Sequence, residues 1–226
     1  QRGDLMILGG RPAMGKTSMG LNIAKNVAQL HDLPVCIFSL EMSKEQLTYR
    51  FLSMESGMET GRLRTGRLAQ EEWPILGESI NKLGQLPLFI SDKSDLSVEQ
   101  IFSKCKKIKK KQGRGELGLV LIDYVQLMDG PIYESRDAEL SKVVVALKRM
   151  AKQLDVPVIA LSQLNRDLEL RSNKRPMLSD LRETSALESH GDLISMVYRD
   201  EYYDPETIDR GITELITCKH RNGPLG

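Results

Sequence analysis

The chain has 226 residues, with 32 Lys and Arg against 31 Asp and Glu, 40% hydrophobic residues and 28% charged ones. Such a composition excludes a disordered, collagen-like or coiled-coil chain, and its net charge of +1 confines any nucleic-acid site to a local patch. The length allows one large domain or two small ones; no internal repeat divides it, and the pattern below favours one.

Short apolar runs at Leu5–Leu8, Val35–Phe38, Leu88–Ile90, Leu119–Ile122 and Val156–Leu161 predict strands buried on both faces. An amphipathic helix over Thr17–Leu30 separates the first two. Ser43 with Gln46 and Ser97 with Gln100 have capping-box spacing and mark two helix starts, because each pair satisfies orphan backbone donors reciprocally. Further helices are predicted at Gln70–Leu83 and Ser135–Leu154. Alternating strands and helices imply an α/β fold, a mostly parallel sheet covered by helices through right-handed crossovers. The charged stretch Asn165–Leu178, with Arg166, Arg171, Lys174 and Arg175, predicts a mobile loop. Leu193–Tyr198 and Ile212–His220 then predict a C-terminal β-hairpin, its connection Asp200–Arg210 turning at Asp204-Pro205. Because the first strand begins at once, at Asp4 or Leu5, upstream domains are expected to be missing from the chain.

Cys36, Cys105 and Cys218 are distant from one another and free of CxxC spacing, which fits reduced thiols. His31, His190 and His220 lack metal-ligand spacing, so no zinc site is expected. No apolar run approaches the roughly 20 residues of a membrane helix, and the opening residues show no signal-peptide pattern. A cytoplasmic protein with no membrane contact is expected.

Gly10-Arg11-Pro12-Ala13-Met14-Gly15-Lys16-Thr17 matches GxxxxGK[ST], followed by Ser18. Glycines in such a loop let backbone N–H groups curl around phosphates at a helix N-terminus. Lys16 is expected at the β- and γ-phosphates and Thr17 on Mg²⁺, in the strand-loop-helix setting that the motif requires. In a parallel sheet ligands bind beyond the carboxyl ends of the strands, which makes residues just past each strand candidates. Asp123 closes Leu119–Ile122 and is suited to hold Mg²⁺ as a Walker-B acid, the alternative being a turn or cap aspartate. Glu41 follows the second strand and is suited to accept the proton of an attacking water, or is a surface glutamate before a helix. Gln163 ends the fifth strand, where its amide offers both a donor and an acceptor to the γ-phosphate or the water. The nearest string to the guanine-reading NKxD, Asn173-Lys174-Arg175-Pro176, lacks the aspartate, so ATP is the expected nucleotide.

RGDLMILGGRPAMGKTS, SLEMSKEQL, LVLIDYVQLM, LSQLNR, RPMLSDLRE and KHRNGPLG, in this order, resemble the RecA-like ATPase domain of the replicative hexameric DNA helicases of the DnaB family across nearly the whole chain. The resemblance implies a motor that unwinds DNA as a homo-hexamer, moving 5′ to 3′ on single-stranded DNA with ATP and Mg²⁺. Lys16 and Thr17 become the phosphate and metal residues, Glu41 the catalytic base, Asp123 the Walker-B acid and Gln163 the sensor. Arg50 matches an arginine near the nucleotide. Lys219 and Arg221, two apart and so on one side of an extended strand, are otherwise a solvated basic edge. By the resemblance they reach the ATP of a neighbouring subunit. Ser179–Glu183 resembles the channel loop that holds DNA, with Arg182, Glu183 and Ser185 at phosphates; Glu183-Thr184-Ser185 stands where the family usually has Glu-Ser-Gly. The family's N-terminal helical domain and linker helix have no counterpart here, and primase and a helicase loader are implied partners of the full-length protein. Two other functions fit the same loop: a RecA-like recombination or repair ATPase, and a nucleotide-switched ring or loader without unwinding.

Overall fold

The computed structural model describes residues 1–111, 115–128, 135–181 and 185–226. Among these, seven strands form one sheet: β1 (Leu5–Gly10), β2 (Val35–Ser39), β3 (Leu88–Ser91), β4 (Leu119–Asp123), β5 (Val158–Gln163), β6 (Leu193–Tyr198) and β7 (Glu214–His220). The spatial order is β3-β2-β4-β5-β1-β6-β7. All neighbours run parallel except β6 and β7, which form the antiparallel C-terminal hairpin. The carboxyl end of β1 therefore sits between two others, with Gly10 opposite Gln163 on one side and Val197 on the other.

Successive strand residues point to opposite faces, which divides the core in two. Ile7, Val120, Ile122, Val158 and Ala160 pack with residues of α5 (Val98–Lys111) and α6 (Arg136–Leu154). Leu8, Leu119, Leu121, Ile159 and Leu161 pack on the other face with α1 (Lys16–His31) and α2 (Lys44–Ser56). Burial on both faces explains why these strands are continuous apolar runs. Gly20 lets α1 approach closely, since a Cβ there would stand 3.2 Å from Leu121 Cδ1. The box at Ser43 and Gln46 is formed in both directions, as are the bonds between Ser97 and Gln100.

Several expectations need correction. β3 is half-buried along its length because it is an edge strand, so an apolar run alone overstated its burial. β5 starts two residues later and runs on through the polar Ser162 and Gln163, which pair with Gly9 and Gly10. β7 starts at Glu214, after a turn closed by Ile212 N–H on Asp209 O. Two short helices, α3 (Thr60–Thr65) and α7 (Ser185–His190), were not predicted; α4 (Glu72–Gln85) was. The stretch from Asn165 is also pinned. It carries a 3-10 helix over Arg166–Leu170 with Leu168 buried, Arg171 pairs with Asp180, and Arg175 grips Glu214 while lying over the Tyr198 ring. Cys36 and Cys105 are buried and Cys218 half-buried, all as free thiols.

Asp192 ties the amino-terminal edge of the sheet together. Its Oδ2 accepts from Leu5 N–H at 2.8 Å and from Lys148, and its Oδ1 faces Arg221 at 3.2 Å. Burial opposes the charge of this carboxylate, but the Lys148 bond and the Leu5 N–H outweigh it and hold the pKa below the usual range. Asp192→Asn is expected to cost about 3 kcal/mol in urea unfolding, the low end for breaking a buried pair, because Asn still accepts from Leu5. A lowered carboxylate pKa stabilises above the unfolded value and loses its effect as pH falls through the folded one. The deficit of the variant should accordingly shrink in acid.

Candidate functional site

The loop after β1 is shaped by its own residues. Gly15 has φ 89, a left-handed conformation open to glycine, and Ala13 adopts φ 64, which costs a residue with a Cβ about 1–2 kcal/mol. Met14 anchors the loop by burying its side chain among Leu8, Leu21 and Phe51 in the core beneath α1. Arg11 is also almost fully buried: it donates to Leu164 O at 2.9 Å and pairs with Glu169 at 2.8 Å. Its guanidinium thus fastens the loop to the segment after β5. These restraints leave the N-terminal N–H groups of α1 facing a cavity of about 370 Å³.

That cavity is lined by Arg11, Pro12, Ala13, Gly15, Lys16, Thr17, Ser18, Glu41, Met42, Arg50, Gln163 and Arg199. Thr17 Oγ1 donates to Asp123 Oδ2 at 2.8 Å, bringing the start of α1 to the end of β4. Asp123 is 2% exposed, and its Oδ1 is buried without a hydrogen-bond partner. An anionic oxygen in that condition is costly unless a cation or donor meets it. Burial pushes the Lys16 amine down from its usual range, against the opposing pull of Asp123 and Glu41, and its Nζ lies 4.9 Å from the Tyr124 ring centroid. Glu41 stands exposed on the rim, just past β2, whose Ser39 is the register partner of Asp123. Arg50 reaches in from α2 and donates to Ser18 Oγ at 3.2 Å.

Gln163 lies half-buried at the end of β5. Its backbone is held by a residue that sequence reasoning missed, Gln126, whose amide donates to Ser162 Oγ at 2.9 Å and to Gln163 O at 3.3 Å. Gln126 follows β4 by three residues, and that position at a strand end was its only signal. Lys219 and Arg221 are not brought to the cavity. The sheet pairs Lys219 with Ile194, three residues before the partner of Gly10, and at about 3.3 Å per residue this is about 10 Å towards the amino-terminal edge. Both side chains bond carbonyls at the end of α7: Lys219 to Glu188 O, and Arg221 to Ser189 O at 2.8 Å. Ser185 is the exposed first residue of α7; Arg182 and Glu183 lie outside the described residues.

A mostly parallel sheet with this loop at the end of a central strand, and an aspartate bonded to the loop's threonine, defines a RecA-like P-loop NTPase fold. The chain belongs to the family of the DnaB-like helicase C terminal domain, whose model matches residues 1–226. It is 49% identical to a probable replicative DNA helicase of Trieres chinensis and 45% identical to the replicative DNA helicase DnaC of Bacillus subtilis, in each case over the whole chain and half of the relative. Among solved structures, an ATPase domain superposes with a TM-score of 0.96 at 40% identity, covering all of this chain and 80% of that one. A DnaB-like replicative helicase, solved for its interactions with primase, gives the same score and identity over 54% of its length. The chain spans about half the length of the curated relatives it matches. Among the described residues no helix is long and apolar enough to cross a membrane.

Proposed function

We propose that residues 1–226 form the motor domain of a replicative DNA helicase, which hydrolyses ATP with Mg²⁺ and moves along single-stranded DNA within a homo-hexameric ring in the cytoplasm. The observation that carries the nucleotide part of this reading is the bond between Thr17 and Asp123, with the second Asp123 oxygen buried and unpartnered and a desolvated Lys16 under the influence of the same carboxylate; the family match over residues 1–226 supports the helicase part. A divalent cation suits that oxygen pair. Among the described residues no group of three or more His, Cys, Asp or Glu is placed to hold a metal, so phosphate and water oxygens would complete the shell, as Mg²⁺ prefers. Thr17 and Asp123 would hold the ion, which when bound supplies positive charge to the phosphates.

The chain's own groups then divide the work. Lys16 and the N–H groups of α1 bind the β- and γ-phosphates, and Arg50 and Ser18 close the side near α2. Glu41 accepts the proton of the attacking water, while the Gln163 amide orients that water or senses the γ-phosphate. Lys219 and Arg221 face away from their own loop, which supports a role at the ATP of a neighbouring subunit. Arg182, Glu183 and Ser185 are proposed to hold the DNA backbone, a sequence-independent contact. Primase and a loader are proposed partners of the full-length protein.

A forked duplex separates this reading from a recombination or repair ATPase. The full-length protein should displace the paired strand when ATP and Mg²⁺ are supplied. ATP turnover stimulated by single-stranded DNA with no displacement would sink the helicase reading.

A further inference from the structure

Arg199 has no role in the scheme above. It follows β6 directly, two residues beyond Val197, the register partner of Gly10, and so stands on the opposite flank of the phosphate loop from Gln163. Its side chain lines the same cavity as Lys16, Thr17 and Ser18. A guanidinium offers five donors in a rigid fork. Arg199 spends one of them on Glu201, while its Nε is buried with no hydrogen-bond partner. Glu201 is held independently: its other oxygen accepts from Gly211 N–H at 2.7 Å. The carboxylate therefore stays in place whether or not the guanidinium does.

We propose that Arg199 contacts the phosphates of the nucleotide on its own chain's loop, and that Glu201 competes with those phosphates for it. The proposal rests on the reading of the cavity as a nucleotide site. Moving the guanidinium from a carboxylate to a phosphate exchanges one charge-assisted bond for another, and the bidentate geometry that arginine forms with phosphate also engages the second donor.

Calorimetric titration of the full-length protein with ADP and with a non-hydrolysable ATP analogue tests this. Arg199→Ala should weaken both affinities by about tenfold or more, the scale of a lost bond to a charged group. Glu201→Gln should act in the opposite direction and tighten them several-fold, since the amide oxygen keeps the Gly211 bond but no longer holds the cation. In the Arg199→Ala background the Glu201→Gln change should have no effect. If both single substitutions weaken binding, the pair merely props the loop and the proposal is overturned; an unchanged affinity in either single variant overturns it too. Failure of the unsubstituted protein to bind either nucleotide would instead overturn the nucleotide-site reading itself.

Discussion

Glu41→Gln in the full-length protein is expected to slow steady-state ATP hydrolysis by about 10²–10⁴-fold, the range of a lost general base, while ATP affinity stays within a few-fold. Glu41 lies on the rim of the cavity that Lys16 and Thr17 line, next to the strand end that pairs with Asp123, where its carboxylate is proposed to meet the attacking water. Glutamine keeps the shape and removes only the ability to take a proton. The groups proposed to bind the nucleotide, Lys16, the loop N–H groups and the pair formed by Thr17 and Asp123, are untouched. Removing Glu41's charge also removes one of the two influences that raise the pKa of Lys16, but burial and Asp123 remain. Near-normal turnover in the variant would remove Glu41 from the chemistry. Loss of DNA unwinding together with turnover separates a motor from a switch, which needs only binding and would keep its function.

Arg221→Ala should reduce turnover by about 10³–10⁵-fold, the effect of removing an arginine finger, again with ATP affinity within a few-fold. The side chain is half-exposed at the amino-terminal edge, far from the loop of its own chain, so any contact with phosphate must be made across a boundary. A single interface tests the idea. When the Arg221→Ala and Glu41→Gln proteins are mixed and allowed to exchange subunits, some boundaries join an intact Glu41 to an intact Arg221, and part of the activity should return. No recovery in mixed rings would argue that Arg221 does not act in trans. Loss of ATP affinity by orders of magnitude in the single variant would point instead to damage around Asp192, its ion-pair partner.

The loop was legible from its GxxxxGK[ST] string, and Glu41, Asp123 and Gln163 from the edge at which the strands end. Parallel strands all end on the same edge, so once the apolar runs at Val35–Phe38, Leu119–Ile122 and Val156–Leu161 are seen as parallel, the residues after them converge. Arg199 obeys the same rule and was missed. Leu193–Tyr198 was recognised as half of a hairpin, and nothing local reveals that this strand also pairs, parallel, with β1 on the far side of the loop. Lys219 lies on β7 and Arg221 just past its end, both bonded to carbonyls of α7, but the direction of that strand relative to the loop is a property of the whole sheet. The charged stretch after Asn165 misled for a related reason. Composition predicts solvation, whereas Asp180 and Glu214, which fix Arg171 and Arg175, come from later in the chain. Short helices such as α3 and α7 have too few residues for a hydrophobic period to register.

The opposed positions of the phosphate loop and the basic pair also bear on symmetry. If the loop of one copy meets Lys219 and Arg221 of the next in head-to-tail order, the contacting surfaces are different patches and the contact is heterologous. In that head-to-tail order each copy added leaves one unmatched loop and one unmatched basic pair until the rotation closes on itself. A small error in the angle between neighbours would give an open helical filament in place of a ring.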